Sequence, residues 1–297
     1  MSFPTRVART VAAVPPSSFF LTSAVFHYLG PSLAVLLFAH VDVLGVAWLR
    51  IASAAVLFAV WRRPWRRPAA GQWRLFAALG VVLAAMNSLF YLAVDRLPLA
   101  TVGAIEFLGT VVLAAAGART RRNLLALVIA VGGVAVLTNV RLAGEPLGFV
   151  FAFANCLGFM LYVVLGHRVA TRSDDPLAAI DQLGVAMLVA AVVATPIGLG
   201  PALPVFGHPL WLLWGVGVGL CSSVVPYVTD QLAMARLPRA TFALMLALLP
   251  AAATVIGLVV LAQVPTGRDL AGVALVIAGV ALRTRTGTPA PVEAVDE

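Results

Sequence analysis

LAVDRLPLAT at residues 92–101 and LAMARLPRAT at 232–241 are the same at seven of ten positions. Each copy joins two apolar runs of membrane-crossing length: the third and fourth in the first case, the eighth and ninth in the second. Five spans therefore separate the copies. An odd separation puts one joint outside and the other in the cytoplasm, so the two halves carrying them are inverted relative to each other. A second echo supports the same offset, ALVIA at 126–130 returning at 274–278. Self-similarity of this kind reorganises the reading of a whole chain. Inverted halves are a recurrent plan of secondary transporters, in which two pseudo-symmetric units alternate access to a central site. The plainer reading is a duplicated helix–loop–helix kept for packing, with Pro98 and Pro238 as ordinary helix-start prolines.

Composition fixes the solvent. Of 297 residues, 62% are hydrophobic and 11% charged, and the mean hydropathy is +1.02. Soluble domains carry about 25% charged residues. A spanning helix needs about 20 mostly apolar residues. Ten such segments fall near 16–38, 42–61, 73–94, 98–117, 122–139, 147–167, 179–199, 209–233, 239–262 and 268–283. The expected fold is all-α integral membrane, ten transmembrane helices as two inverted five-helix repeats. The first repeat occupies 1–141, the second 142–285, and residues 286–297 form a disordered cytoplasmic tail. Residues 16–38 exceed a signal-peptide core and lack a clear cleavage site, so they are expected to remain as the first span.

The formal charge of +8 reports topology rather than nucleic acid. All twenty basic residues are arginine, clustered in short loops. With the N-terminus inside, sixteen lie on the cytoplasmic side and only Arg96, Arg141 and Arg268 outside. The positive-inside rule then puts both termini in the cytoplasm. An even span count keeps the two Arg-bearing termini on one face. Cys156 and Cys221 sit within apolar runs and read as small packing residues.

Polar groups inside the bilayer are costly, which makes them the first candidates for a pathway. The third span aligns Gly80, Ala84, Asn87 and Tyr91 at helical spacing. The fourth does so with Gly103, Glu106 and Thr110, and the sixth with Asn155, Gly158 and Tyr162. Ser23, His27, Gly30 and Ala34 line up on the first; Ser223, Tyr227 and Asp230 on the eighth. Glu106 is the acid nearest the middle of a span. Its carboxylate suits a substrate ammonium, a proton, or an interhelical pair with the intramembrane Arg50. His27 reads as a proton carrier or a hydrogen-bonded packing residue. Asn87, Asn155, Tyr91 and Tyr162 suit hydrogen bonds to a polar substrate or between helices. Asp230 lies near the cytoplasmic end of its span, where a solvated helix end is the simpler reading. Pro226 and Pro250 are expected to kink the eighth and ninth spans. Gly215, Gly217 and Gly219 read as helix packing.

Enzyme machinery is not visible. There is no Gly-rich phosphate loop, His-Glu-x-x-His, nucleophile elbow or tight acidic cluster. No cofactor, metal or nucleic-acid partner is expected; the partners are the bilayer and a small-molecule substrate.

The stretch Met86-Asn87-Ser88-Leu89-Phe90-Tyr91-Leu92, continuing through Leu97-Pro98-Leu99 to Ala104-Ile105-Glu106-Phe107, resembles EamA-type members of the drug/metabolite transporter superfamily, most of all the threonine/homoserine exporter group. Pro226-Tyr227, Arg236-Leu237-Pro238 and Thr241-Phe242 resemble the matching part of the second repeat, and Trp48-Leu49-Arg50 is also similar. The resemblance implies a ten-helix inverted-repeat fold in the inner membrane and export of amino acids or related metabolites by alternating access. Asn87, Tyr91, Glu106 and Tyr227 gain weight as substrate ligands from it. In that group an acid commonly precedes the proline of the ninth span, whereas here Leu249 precedes Pro250. On this reading the second half lacks a carboxylate to match Glu106. Other substrates consistent with the sequence are cationic drugs and sugar-linked metabolites. The rival class is a non-transporting membrane enzyme or scaffold.

Overall fold

The computed structural model describes residues 15–64, 73–117, 120–138, 145–170, 176–234 and 249–282. The repeat copy beyond Met234, most of the Arg-rich loops, the side chain of Thr110 and the tail lie outside the described residues.

Among the described residues the chain is helical throughout. The helices are α1 (Pro16–Leu37), α2 (Val43–Arg62), α3 (Trp73–Val94), α4 (Leu99–Gly117), α5 (Arg121–Thr138), α6 (Pro146–Ala170) and α7 (Pro176–Ala202). They continue with α8 (Pro209–Gly219), α9 (Val225–Met234), α10 (Leu249–Leu261) and α11 (Gly267–Leu282). A π-helical turn, Leu220–Val224, joins α8 to α9 without a break. Five described stretches have the length and hydropathy to cross a membrane: Val43–Arg62, Trp73–Val94, Pro146–Val169, Ile180–Gly207 and Pro209–Ala233. Leu21–Leu37, Leu99–Gly109 and Leu249–Leu261 are shorter apolar helices.

Local chemistry sets several boundaries. Asp42 caps α2 by accepting from the Leu44 amide at 2.9 Å, and Arg63 ends that helix in the left-handed region, φ 49°. Thr266 and Asp269 form a reciprocal capping box at the start of α11, satisfying two of the donors a helix N-terminus leaves free. Prolines open α1 and α8, where the missing N–H has no intrahelical partner to lose.

Packing proceeds in facing pairs. α2 lies along α7, and α5 along α11. α3 packs on α6 and α7, while α1 packs on α8, α9 and α10. α4 contacts α5, α6, α10 and α11. The α2–α7 pair is tied near one end by Arg62 to Asp181 at 2.6 Å, and near the other by Trp48 Nε1 donating to Thr195 Oγ1 at 2.9 Å. Large apolar side chains such as Val60, Val192, Leu210 and Val259 are exposed on the outside. An exterior of this kind is at home in lipid and a liability in water.

Of the three glycines in α8, Gly219 carries the packing role most clearly. A Cβ there would lie 2.8 Å from the Arg50 carbonyl, so α2 approaches the π turn only because none is present. Gly217 has open space instead. Both cysteines are free thiols, Cys156 buried.

Candidate functional site

α1, α2, α3, α4, α6 and α9 converge on one narrow cleft. His27, Pro31, Arg50, Met86, Asn87, Phe90, Glu106, Asn155 and Tyr227 line it. Six of the eight residues expected at a substrate site are thus brought together. The other two stand directly behind. The Tyr91 ring lies beneath the Arg50 guanidinium, 5.3 Å from Cζ to the ring centre, and the Tyr162 ring packs on Tyr227 at 5.5 Å.

The helical turns explain why these residues meet. Asn87 and Tyr91 share a face of α3, and both are almost fully buried. Asn87 Nδ2 donates to the Leu83 carbonyl at 2.7 Å, while its Oδ1 accepts from the Tyr227 hydroxyl at 3.3 Å. Glu106 is 3% exposed, and Asn155 of α6 donates to its Oε1 at 3.2 Å. Glu106 Oε2 accepts no hydrogen bond among the described residues. Its nearest basic atom is His27 Nε2, at 3.7 Å, too long for a hydrogen bond. Asn155 Oδ1 is likewise buried without a donor.

Arg50 is not the partner of Glu106. Its Nε–H donates to Ser223 Oγ at 2.9 Å and an Nη–H donates to the Ser222 carbonyl at 2.8 Å. The reason is local. Pro226 has no N–H, and in an α-helix that N–H would bond the carbonyl four residues back, at Ser222. The proline and the π turn leave a buried carbonyl in need of a donor, and the guanidinium supplies it. Two of its five N–H donors are engaged in this way. π turns are frequent at functional sites, and this one holds the guanidinium that lines the cleft among the described residues.

Some participants have weaker sequence signals. Ser222 is marked by the proline at 226. Tyr28 is completely buried with its hydroxyl unpaired among the described residues, and a Cβ on Gly103 would meet that oxygen at 2.8 Å. Asp230, expected at a solvated helix end, is instead 9% exposed and bonded by Ser23 Oγ at 2.5 Å. The side chain is shielded because α1 packs on α9.

A helical membrane bundle with ionisable groups gathered in a buried cleft has the character of a multi-pass transporter. Comparison with known proteins bears on this directly. The EamA-like transporter family matches residues 146–285. The chain is 31% identical over 257 residues to the threonine/homoserine exporter RhtA of Salmonella typhimurium (strain LT2), covering 84% of each chain. It is 30% identical to the exporter of the same name from Escherichia coli K12, again over 84% of each. A solved crystal structure matches with a TM-score of 0.60 over 91% of this chain and 98% of its own, at 20% identity, which speaks for the fold alone. The chain belongs to the EamA-like transporter family, a family of transporters and not of enzymes.

Proposed function

We propose that the chain exports amino acids or closely related metabolites across the inner membrane, with both termini cytoplasmic, and that the cleft is the substrate site. Glu106 takes the substrate ammonium and Arg50 its carboxylate. The observation carrying this assignment is that one buried cleft presents a carboxylate oxygen with no hydrogen bond and a guanidinium held by two acceptors on one side. A zwitterion complements that pair. Asn155 Oδ1, Asn87 and Tyr227 remain for a polar side chain, which fits the hydroxyl-bearing substrates named for the relatives.

Alternating access between two inverted halves of five spans each is part of the same proposal. The α8–α9 rod counts as the eighth span, α10 as the ninth and α11 as the tenth. Exchanging first-half and second-half partners then turns the α3–α6 contact into α8/α9–α1, α4–α6 into α10–α1, α3–α7 into α8–α2, and α4–α5 into α10–α11. All of these contacts are present. The α2–α7 and α5–α11 pairs map onto themselves. A two-fold relation between the halves predicts such a pattern, and the repeated LAVDRLPLAT supports it independently.

Counterflow in proteoliposomes tests the substrate. Purified protein is expected to exchange some of the twenty amino acids saturably, small hydroxyl-bearing ones among them. No exchange of any amino acid by folded protein would overturn the amino-acid reading.

A further inference from the structure

The buried polar path does not end at the cleft. One turn along α1 from His27, Ser23 donates to Asp230 Oδ1, with the Pro226 carbonyl 3.4 Å away as a second acceptor. Asp230 makes no ion pair among the described residues, although it is nine-tenths buried. The ionisable groups facing it are His27 from α1, Tyr162 from α6 and, on its own helix, Tyr227. α7 also packs on α9, but its acid, Asp181, is engaged by Arg62. Two further buried atoms of this region lack a hydrogen-bond partner among the described residues: the Tyr162 hydroxyl and Gln231 Oε1. Their side chains meet above Gly166, where a Cβ would lie 3.7 Å from Tyr162 Cε2 and 4.0 Å from Gln231 Nε2.

A buried carboxylate with one hydroxyl donor and no cation is costly as an anion. It is relieved by binding a positive species, and the smallest is a proton. Glu106 accepts from the Asn155 amide, has His27 at 3.7 Å and faces the cleft; Asp230 accepts from Ser23, faces the same His27 without an ion pair among the described residues, and lies beyond the cleft. We infer that Asp230 is a proton-binding site of the transporter, separate from the substrate site, and that its protonation couples substrate exchange to a pH gradient. The carboxylate gains an O–H bond when it takes a proton from water and loses that bond when it returns the proton. The second half therefore does supply a carboxylate, from α9 and not from the position before Pro250. The coupling half of this inference rests on the transport reading; proton binding does not.

Infrared difference spectra of purified protein between acidic and neutral buffer test the site without any substrate. Wild type is expected to show a protonated-carboxyl band that Asp230→Asn loses and Glu106→Gln keeps. A band unchanged in Asp230→Asn overturns the proposal. Should that variant fail to fold, Ser23→Ala decides, because it keeps the carboxyl but removes its hydrogen bond. The band is expected to shift, and an unshifted band overturns the assignment. In proteoliposomes, Asp230→Asn is expected to keep exchange at equal pH while gradient-driven accumulation falls to the level of protein-free vesicles. Accumulation matching wild type overturns the coupling. If wild type exchanges no amino acid, the substrate reading fails while the infrared result still decides Asp230.

Discussion

The two charged groups of the cleft are held in opposite ways. Arg50 is anchored from across the bundle: its α2 side chain bonds the backbone carbonyl of Ser222 and the hydroxyl of Ser223 in the π turn between α8 and α9, with Tyr91 beneath it. Glu106 is held by one amide, from Asn155, and faces His27 at a distance too long to satisfy its second oxygen. The cation is structural as well as available, and the anion is chiefly available. Arg50 should therefore matter to folding and transport together, and Glu106 to transport alone.

The largest effect is expected at Arg50. Arg50→Met removes the donor that satisfies the Ser222 carbonyl and leaves that group buried without a partner. Thermal unfolding in detergent should show a loss of about 3 kcal/mol, with exchange abolished. Glu106→Gln should behave differently. Asn155 still finds an acceptor in the new amide, so stability should move by no more than about 1 kcal/mol. Exchange should fall roughly 100-fold, equivalent to about 2.7 kcal/mol of lost charged hydrogen bonding. Equal losses of stability in the two variants would break the contrast between the sites.

The same contrast marks how far a sequence can be read. Helix α3 occupies 73–94 as expected, α2 departs from expectation by a single residue at each end and α4 by one at its start, because apolar runs bounded by Arg or Pro leave little freedom. Which residues share a helix face was also legible, since spacing along one helix fixes it; Asn87 with Tyr91 and Asn155 with Tyr162 are examples. What spacing does not fix is the height and rotation of one helix against another. Arg50 and Glu106, the two most conspicuous intramembrane charges, therefore invited pairing. The acceptors of Arg50 are a hydroxyl and a backbone carbonyl, and a carbonyl has no side-chain signature. Only Pro226, four residues on, betrays that the Ser222 carbonyl is free. Asp230 shows a related limit: its place near a span end suggests water, and its burial depends on α1 packing on α9.

A smaller effect sharpens the account of Arg50. If the guanidinium serves Ser222 because Pro226 cannot, then Pro226→Ala provides a competing N–H. Combined with Arg50→Met, it should restore part of the lost stability. A double-mutant cycle should give a coupling of about 1 kcal/mol. Strict additivity would mean that the carbonyl is satisfied in some other way.

The smallest effect is expected at Tyr227→Phe, on the Glu106 side of the comparison. The hydroxyl donates to Asn87 Oδ1 at 3.3 Å, a long bond between helices, and such bonds average about 0.6 kcal/mol inside membranes. The ring still packs on Tyr162, 5.5 Å between centroids, so apolar contact is kept and unfolding should shift by less than about 1 kcal/mol. The consequence for transport is more specific. Asn87 Nδ2 is already committed to the Leu83 carbonyl, so losing the phenol frees only Oδ1, an acceptor, at the cleft wall. Counterflow with hydroxyl-bearing amino acids should be altered relative to alanine in this variant, because only the former offer a side-chain donor to that oxygen. A uniform change across both would place Tyr227 in the scaffold and leave substrate discrimination to Asn155.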